Sequence, residues 1–310
     1  MSAAPDLTVV VVTHEGRELA LRTLRTAREC TGPASVQWIV VDSGSTDGTA
    51  DAIEQVFPDL QVDRRENIGF AAANNVALAS ARGRWVLLLN PDMTIASGTL
   101  SQLVEALDAQ PALGAASVIQ QWPDGTAQAT IRRDPSVARQ FGEALLLGRF
   151  AGEEEGRLER YEREQTADWL VGGFLVVRRE VIDAVGGLDE RFFLFSEEAD
   201  WCRRIRAGGW QVRHLPVMRV THHTGRSARP NLYAQNSHSK LLYARKHLSP
   251  GGRAAFRTAL ALRHALRLAG LAPIGLVRSS LRSRIVAERL ALFVVLGITP
   301  PPFRPAGPQA

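Results

Sequence analysis

The sequence predicts an α/β protein with a mostly parallel sheet flanked by helices. Short runs of β-branched and aliphatic residues alternate with helix-like segments through the first two-thirds of the chain. These runs carry few polar residues, as expected of parallel strands that are buried on both faces. The helical segments between them have the length of crossover helices that join parallel strands. A chain of 310 residues with 45% apolar residues can enclose a sizeable core.

The predicted elements of the first half follow in strict alternation. The helix at 46–56 has Thr46 or Asp47 as its expected cap, because both side chains can accept a backbone N–H bond. The predicted order is strand 7–12, helix 19–30, strand 36–41, helix 46–56, strand 61–63, helix 70–81 and strand 85–89.

The pattern changes after residue 112. Residues 135–163 are polar and include the acid run 153–155, which predicts a mobile excursion. After Pro250 the sequence is arginine-rich and amphipathic, with an expected break at Pro273, and residues 300–310 are predicted to be disordered. The other predicted elements are strands at 118–120, 169–177 and 217–220 and a helix at 197–206.

Composition narrows the functional classes. The two cysteines, Cys30 and Cys202, exclude a disulfide framework and a cysteine-rich zinc site and favour reduced thiols in a cytosolic protein. No signal peptide is visible, and no apolar run reaches the roughly 18 residues of a spanning helix. From Arg253 onward the chain has nine arginines and one acid, a net charge of +8. The remainder is mildly acidic, which argues against nucleic acid as a partner.

Polar residues follow three of the predicted strands. Thr13 and Glu15 follow the first strand, Asp42 the second and Asn90 and Asp92 the fourth. Ligands bind beyond the carboxyl ends of the strands in open parallel sheets, so these residues form a candidate site, although strand ends are often polar in any case. The octet that begins at Asp42 could receive a base or ribose or could be an ordinary turn. It is neither a Walker A motif nor a dinucleotide fingerprint.

Two further groups could carry chemistry. Asp92 could hold Mg²⁺ or Mn²⁺ against a diphosphate, with one histidine of the pair at 222–223 completing the coordination; a type I turn is the alternative. Glu197, Glu198 and Asp200 are acids within four positions, flanked by aromatic residues. One could act as a general base, whereas acids that complement a helix dipole are the simpler explanation for one or two of them.

Seven short strings of the sequence, among them those that contain Glu15, Asp42, Asp92, Glu198 and His222, resemble in their order and spacing the family 2 glycosyltransferases, which have the GT-A fold. The resemblance runs from about residue 7 to residue 247 and is nearest to the rhamnosyltransferase-like branch that acts in bacterial cell-envelope glycan synthesis. Its markers are VVVVTHE at 9–15, VDSGSTDGT at 41–49, NIGFAAANN at 67–75, NPD at 90–92, GGLDERFFLF at 186–195, EEADWCRRIR at 197–206 and HHTGRS at 222–227.

The resemblance implies a role for each group. Glu198 would be the catalytic base, with Glu197 as the alternative, and Asp200 would orient the base or the acceptor. Asp92 and His222 would hold Mg²⁺ or Mn²⁺, with Asn90 where the family's Asp-x-Asp motif has its first acid. The expected nucleotide-sugar contacts are Thr13, Glu15, Asp42, Asn67, Gly69, Asn90 and Asp92, and the expected acceptor contacts are Trp169, Gly172, Gly173, Trp201, Asn236 and His238.

The domain prediction follows from these assignments. Residues 1–250 would form the GT-A domain, with a nucleotide-sugar half at 1–110 and an acceptor half at 111–250. Residues 251–299 would be a basic amphipathic extension and 300–310 a disordered tail. The extension is predicted to lie on an anionic membrane surface at the inner face of the cell membrane, although packing as a hairpin on the domain or in a homodimer interface is nearly as good an account.

The predicted activity is an inverting sugar transfer. The best guess is L-rhamnose from dTDP-L-rhamnose to a cell-envelope glycan or polyprenyl-diphosphate-linked acceptor. The same chemistry with UDP-hexose or UDP-galactofuranose is the alternative, and a non-catalytic scaffold that binds nucleotide or glycan at the membrane is the alternative from another class.

Overall fold

The computed structural model describes residues 4–145, 158–224, 229–275 and 281–305. The chain divides into two compact units. The sheet unit comprises Met1–Arg133, Glu155–Asp189 and Glu198–Gly225, and the helical unit comprises Asp134–Glu154, Glu190–Glu197 and Arg226–Ala310. The predicted boundaries at residues 110, 250 and 300 stay predictions.

The secondary structure alternates in the first half and becomes mixed afterwards. The strands are β1 Leu7–Thr13, β2 Val36–Ser43, β3 Val62–Arg65, β4 Trp85–Leu89, β5 Met93–Ser97, β6 Leu113–Gln121, β7 Ile131–Arg132, β8 Gln165–Thr166, β9 Trp169–Leu170, β10 Phe174–Arg178 and β11 Gln211–His222. The helices are α1 Arg17–Glu29, α2 Thr49–Val56, α3 Phe70–Ser80, α4 Leu100–Asp108, α5 Val137–Ala144, α6 Leu158–Tyr161, α7 Arg179–Val185, α8 Glu197–Ala207, α9 Pro230–His247, α10 Pro250–Gly275 and α11 Arg282–Leu296.

One sheet of nine strands organises the described part of the sheet unit. Its order is β3-β2-β1-β4-β10-β6-β11-β5, with β8 added on β11. The first four strands are parallel, and every residue of β1 and β4 is buried, as their apolar sequences require. Since β1 and β2 run in the same direction, Thr13 at the end of β1 pairs directly with Asp42, the next-to-last residue of β2.

The second half of the sheet mixes strand directions. β10 is antiparallel to both β4 and β6, β11 is parallel to β6, and β5 is antiparallel to β11. The register of β11 against β5 pairs His222 with Met93, so the end of β11 lies beside the segment that follows β4. The predicted strand at 217–220 is therefore part of a longer strand that ends at His222.

Several sequence predictions for local structure are wrong. The predicted strand at 169–177 is two strands, β9 and β10, that belong to different sheets. Helix α2 begins at Thr49, because Gly48 adopts a left-handed conformation (φ 78°) and Asp47 caps Thr49 from outside the helix. Residues 135–163 do not form an irregular excursion where the structure describes them, since α5 and α6 lie there. The acid run at 153–155 lies outside the described residues.

The helical unit packs helices around its own small core. Leu241, Ala244, Phe256, Leu260 and Val295 form its main apolar cluster, contributed by α9, α10 and α11. The expected break at Pro273 is absent, because α10 continues through that position to Gly275. Within this unit the Phe303 ring stacks on the Phe193 ring at 5.5 Å, and residues 306–310 lie outside the described part.

None of the described helices combines the length and the mean hydropathy that a membrane-crossing segment requires.

Candidate active site

The first part of the candidate site lies where β1 and β2 end. Asp42 is only 4% exposed. Its Oδ1 accepts a hydrogen bond of 2.8 Å from the Ser45 backbone N–H, whereas its buried Oδ2 has no hydrogen-bond partner among the described residues. An ionised carboxylate with a free oxygen is costly to bury. Asp42 therefore has one oxygen available to accept bonds from a ligand at the carboxyl edge of the sheet.

Glu15 holds the loop that follows β2. Its backbone adopts a positive φ of 60°, and its N–H donates to Ser45 Oγ at 2.8 Å. Its carboxylate Oε1 accepts from both the N–H and the hydroxyl of Thr46, each at 2.9 Å. Glu15, the predicted nucleoside contact, therefore also holds residues 45–46 in place through hydrogen bonds.

Asn67 and Gly69 are tied to the same edge through His14, which the sequence analysis did not single out. A carbonyl oxygen only accepts, so the His14 Nδ1 at 2.8 Å from Ser43 O carries the proton and donates. In the neutral ring, His14 Nε2 then accepts from Asn67 Nδ2 at 3.3 Å, and Asn67 Oδ1 accepts from the Gly69 N–H at 3.3 Å. The tautomer of His14 is assigned from hydrogen-bond partners that are distant in sequence, so the sequence alone does not show it.

The second part of the site is centred on Asp92. Its Oδ2 accepts from His222 Nε2 at 3.1 Å and from the Thr224 hydroxyl, and its backbone oxygen accepts from the His223 N–H at 2.9 Å. Its Oδ1 is buried and has no hydrogen-bond partner in the described part of the chain. Burial raises the pKa of Asp92, but the bonds from His222 and Thr224 outweigh that effect and keep the pKa below its usual value.

These groups fit a divalent cation. Asp92 Oδ1 is a free buried carboxylate oxygen beside the Nε2 of His222, and Mg²⁺ and Mn²⁺ accept oxygen and imidazole ligands. No cluster of three or more histidine, cysteine, aspartate or glutamate side chains suited to a metal occurs in the described ranges. The remaining ligands of a cation here would come from other protein oxygens, from a substrate or from water. Residues 225–227 of the predicted string lie outside the described part.

The third part brings Glu198 to the same edge through two glycines. A Cβ added to Gly172 would lie 3.6 Å from the Glu198 Cβ, which is ordinary contact. A Cβ added to Gly173 would lie 2.3 Å from Met93 Cε and 3.6 Å from Asn90 Nδ2. The Gly173 oxygen also accepts from the Asn90 N–H at 2.9 Å. Gly172 thus lies beside Glu198, and Gly173 is hydrogen-bonded to Asn90, two residues before Asp92.

Comparison with known proteins decides the family at this point. The sequence profile described as Glycosyl transferase family 2 matches residues 8–186, more than half of the chain. The chain belongs to glycosyl transferase family 2. This glycosyltransferase is 33% identical over 308 residues to the N-acetylglucosaminyl-diphospho-decaprenol L-rhamnosyltransferase of Mycobacterium tuberculosis, covering 89% of this chain and 94% of that relative. It is 23% identical over 163 residues to Rhamnosyltransferase WbbL of Escherichia coli, covering 50% and 61%.

Solved structures show the fold of this glycosyltransferase. It is similar to mannosyltransferase PcManGT from Pyrobaculum calidifontis, solved in complex with GDP-Man and Mn²⁺, with a TM-score of 0.56, 18% identity and coverage of 96% of this chain and 87% of that one. GalNAc-T7, solved with UDP, GalNAc and Mn²⁺, gives a TM-score of 0.54 at 16% identity, covering 71% and 43%. The predicted family, α/β fold class and transferase activity are confirmed.

The backbone before α8 of the glycosyltransferase is strained. Phe195 and Ser196 adopt φ values of 71° and 67°, a region that non-glycine residues rarely occupy, at a cost of about 1–3 kcal/mol each. Glu197 begins the helix and is buried, and Glu198 is half-buried. The two left-handed residues set the direction in which the chain enters the acid-bearing turn.

Asp200 and Trp201 anchor α8 inside the sheet unit. Asp200 is fully buried and accepts from Arg204 Nε at 2.9 Å. The same guanidinium donates to the carbonyls of Val185 and Gly187 at 2.7 and 2.6 Å. Trp201 is fully buried, and its indole N–H donates to the Gly186 oxygen at 2.8 Å. Both side chains thus fix the helix that carries Glu198.

The remaining predicted acceptor contacts divide between the two units. Trp169 lies on β9 in the sheet unit, is half-buried and donates its indole N–H to the Arg133 oxygen at 2.8 Å. Asn236 and His238 lie on α9 in the helical unit, and both are half-buried. Burial lowers the pKa of His238, with Arg245 and Arg304 acting in the same direction. Their roles stay predictions.

Proposed function

We propose that this glycosyltransferase transfers L-rhamnose from dTDP-L-rhamnose to a hydroxyl of a polyprenyl-diphosphate-linked glycan, with inversion at the anomeric carbon. One observation supports the proposal: Gly172 lies beside Glu198, and the next residue, Gly173, accepts a hydrogen bond from the Asn90 N–H. Glu198 would therefore lie near the segment of Asp92 at one edge of the sheet. The mycobacterial relative, by its name, acts on a decaprenol-linked acceptor.

Asp92 and His222 would hold Mg²⁺ or Mn²⁺ in this proposal. The fit rests on the free Asp92 Oδ1 and on the neighbouring His222 Nε2. When bound, the cation supplies Lewis-acid neutralisation of charge on the leaving diphosphate. Asp42, with its free Oδ2, would accept hydrogen bonds from the nucleoside, and Thr13, Asn67 and Gly69 would line the same pocket.

Glu198 would act as the general base. It takes the proton of the acceptor hydroxyl while that oxygen forms a bond to the anomeric carbon and the bond to the diphosphate oxygen breaks. One displacement inverts the anomeric configuration. Glu198 fits this task better than Glu197, because Glu197 is buried whereas Glu198 is half-buried and lies beside Gly172. Asp200 would act indirectly by fixing α8.

Conversion of Glu198 to Gln tests the base. We expect Glu198→Gln to lower kcat by about 10²–10⁴-fold with unchanged affinity for dTDP-L-rhamnose, because the amide cannot take the proton. The matched control is Glu180→Gln on the exposed side of α7, which should retain full turnover. A large loss in Glu197→Gln with full activity in Glu198→Gln would transfer the role to Glu197.

A thermal-shift screen tests the donor. Ligands that bind the native state raise Tm, by an amount that grows with ligand concentration over Kd. We expect dTDP-L-rhamnose with Mn²⁺ to raise Tm more than UDP-glucose, UDP-galactofuranose or GDP-mannose at equal concentration. A larger shift with either UDP-sugar would overturn the choice of donor and leave the reaction class intact.

We also propose that the helical unit contacts an anionic membrane surface through the outer face of α11. Arg282, Val286, Arg289, Phe293 and Leu296 recur every three or four residues, so they lie along one face of this helix. Ala287, Ala291 and Val294 are buried on the opposite face. Val286 and Leu296 are 42% and 45% exposed, and both arginines are exposed. A face that mixes arginines with apolar side chains is typical of interfacial helices.

Vesicle flotation tests this face. Arg282→Gln with Arg289→Gln should weaken binding to phosphatidylglycerol vesicles severalfold, since each basic residue near an anionic surface contributes on the order of 1 kcal/mol. The matched control removes the same charge from exposed arginines of the sheet unit, Arg25→Gln with Arg82→Gln. Equal flotation of the two double variants would reject the membrane contact.

A further inference from the structure

The turn that follows β6 surrounds His222 on the sides that do not face Asp92. Trp122 N–H donates to the Thr126 oxygen at 2.8 Å, and Gln128 N–H donates to the Gln120 oxygen at 2.8 Å, so the chain reverses between residues 122 and 128. Because β6 and β11 pair side by side, this turn lies next to the end of β11. It brings two side chains to His222 that no sequence motif identified.

Trp122 and Gln128 contact different parts of the imidazole. The Trp122 ring stacks on the His222 ring, with centroids 5.6 Å apart and an interplanar angle of 7°. Gln128 is 6% exposed, and its side-chain amide faces His222 Nδ1. The Gln128 Nε2 lies 3.0 Å from this ring nitrogen and the Gln128 Oε1 lies 3.3 Å from it. The opposite ring nitrogen, His222 Nε2, lies 3.1 Å from Asp92 Oδ2. The ring is thereby held in its plane and at both nitrogens.

A neutral imidazole carries one N–H proton. Its position decides whether Nε2 donates a hydrogen bond or offers a lone pair. A carboxylate oxygen only accepts, so the bond between Nε2 and Asp92 requires the proton on Nε2, and Nδ1 then accepts from the Gln128 amide N–H. To bind a cation, Nε2 must instead offer its lone pair, and the proton must move to Nδ1. The Gln128 Oε1 is then its acceptor.

We infer that Gln128 is a positioning residue that lets His222 exchange between these two tautomers, and that Trp122 holds the ring in plane during the exchange. The inference rests on the proposed function, because it assumes that Asp92 and His222 hold the cation. A carboxamide is the side chain that can donate in one orientation and accept in the other. Asn90 occupies the position of the first acid of the family's Asp-x-Asp motif, so the site has one carboxylate fewer. Binding of the cation would therefore depend heavily on His222 and on the residues that position it.

Cation affinity is the first readout, measured by Mn²⁺ electron paramagnetic resonance in the presence of dTDP. We expect Gln128→Leu to weaken Mn²⁺ binding by about 10–100-fold, the usual effect of removing a partner of a metal-bound histidine. Gln128→Glu should restore wild-type or tighter Mn²⁺ binding, because the glutamate carboxylate accepts a hydrogen bond from the Nδ1–H of His222. A merely structural role would not be restored by an added charge. The matched control, Gln121→Leu, removes a neighbouring glutamine that contacts Thr221 and should bind Mn²⁺ within about twofold of wild type.

The second readout is the ¹⁵N shift pattern of the His222 ring. Wild type should show the proton on Nε2 alone and on Nδ1 with Mg²⁺ and dTDP, whereas Gln128→Leu should lose the exchange. Wild-type Mn²⁺ affinity in Gln128→Leu would overturn the inference. If Asp92→Asn and His222→Ala abolish binding in the same assay, only the role of Gln128 has failed. If they also bind normally, the proposed cation site itself is wrong.

Discussion

Two carboxylate–histidine pairs stand out among the described residues, one in each unit, and they differ in what surrounds them. In the sheet unit Asp92 and His222 are 3.1 Å apart and about 15% exposed, and Asp92 keeps one oxygen without a partner among the described residues. In the helical unit Glu288 and His264 are 2.6 Å apart and 1% exposed. The first pair therefore keeps one carboxylate oxygen that could accept a bond from a ligand.

The second pair is closed on all sides. Glu288 Oε1 accepts from the Tyr233 hydroxyl at 3.0 Å and lies 3.7 Å from Arg267, while Oε2 accepts from His264 Nδ1. In the neutral ring, His264 Nε2 accepts from the Ser237 hydroxyl at 3.0 Å. Serine, histidine and glutamate in this order match the connectivity of a hydrolytic triad. Their burial leaves no access for a substrate, so the network joins α9, α10 and α11 instead.

This difference shows how a candidate ligand-binding pair can be distinguished from a buried hydrogen-bond network that only stabilises the fold. Both pairs have the same residue types and similar hydrogen bonds. A buried network in which every polar atom is satisfied stabilises one packing arrangement, whereas a free carboxylate oxygen at the end of a sheet marks a place for a ligand. Substitutions should therefore lower stability in one pair and activity in the other.

The largest expected effect is on the helical unit. Glu288→Gln should lower the free energy of unfolding by about 3–5 kcal/mol, because it removes the buried anion that pairs with Arg267 and accepts the hydrogen bond from His264. Urea denaturation followed by circular dichroism measures this loss. The comparison predicts nearly normal kcat in the fraction that remains folded. A collapse of kcat without loss of stability would give Glu288 a functional role.

The next effect is on activity alone. Asp92→Asn should lower kcat/KM by about 10²–10³-fold, since several kcal/mol of charge stabilisation in the transition state depend on this carboxylate. Its Tm should stay within a few degrees of wild type, because Asn can still accept from His222 and Thr224. Unfolding at lower temperature with retained kcat would make Asp92 a structural residue like Glu288.

The dependence of stability on pH sharpens the same contrast. Burial lowers the pKa of His264 below its ordinary value of about 6.5, and Arg263 and Arg267 add to this while Glu288 opposes it. The unfolded chain then binds more protons near pH 6, so unfolding becomes easier as pH falls through this range. Tyr233, whose ring meets the His264 ring edge to face, stays neutral, since burial raises its pKa.

Thermal melts from pH 8 to pH 5 measure this effect, and His264→Gln should flatten the decline. Burial raises the pKa of Glu288, but bonds from His264 and Tyr233 outweigh it and lower the pKa overall. The contribution of Glu288 is therefore present above its ordinary pKa of about 4.5 and is lost at more acidic pH. A melt profile of His264→Gln identical to that of wild type would contradict the assignment.

The smallest expected effect concerns the support of each histidine. Ser237→Ala removes the bond to His264 Nε2 and should cost about 1 kcal/mol of stability with unchanged Mn²⁺ affinity. Gln128→Leu should show the reverse, a loss of Mn²⁺ affinity. If Ser237→Ala lowered Mn²⁺ affinity, the two pairs would not be independent. Urea titration and the Mn²⁺ resonance assay on both variants make this test.

Much of the sheet unit could be predicted from sequence, because its signals are local. Residues 85–89 form the predicted strand without a shift, and 197–206 lie within α8. The start of α2 was placed three residues too early, because the prediction treated Thr46 as a cap, whereas its N–H and hydroxyl bond Glu15 from the preceding loop. A contact between residues 31 positions apart leaves no periodic signal.

The helical unit shows the opposite case. Its arginine-rich sequence indicates amphipathic helices, yet nothing local relates His264 to Glu288, 24 residues later, or to Ser237 on another helix. Gln128 was missed for the same reason, since it follows a turn of polar residues and reaches a histidine 94 positions away. Trp122 likewise gave no periodic signal before its stacking partner was placed.

The sequence by itself determined the alternation of strands and helices as far as residue 89 and the identity of the residues at the strand ends. Both follow from short-range rules, namely the burial of apolar runs and the conformations of Gly, Pro and Asx residues. Only the tertiary structure decided which of the two carboxylate–histidine pairs keeps an oxygen without a partner among the described residues. That outcome depends on whether each polar atom finds a partner from a distant element, and hydrogen bonding at this range is set by packing and not by spacing along the chain.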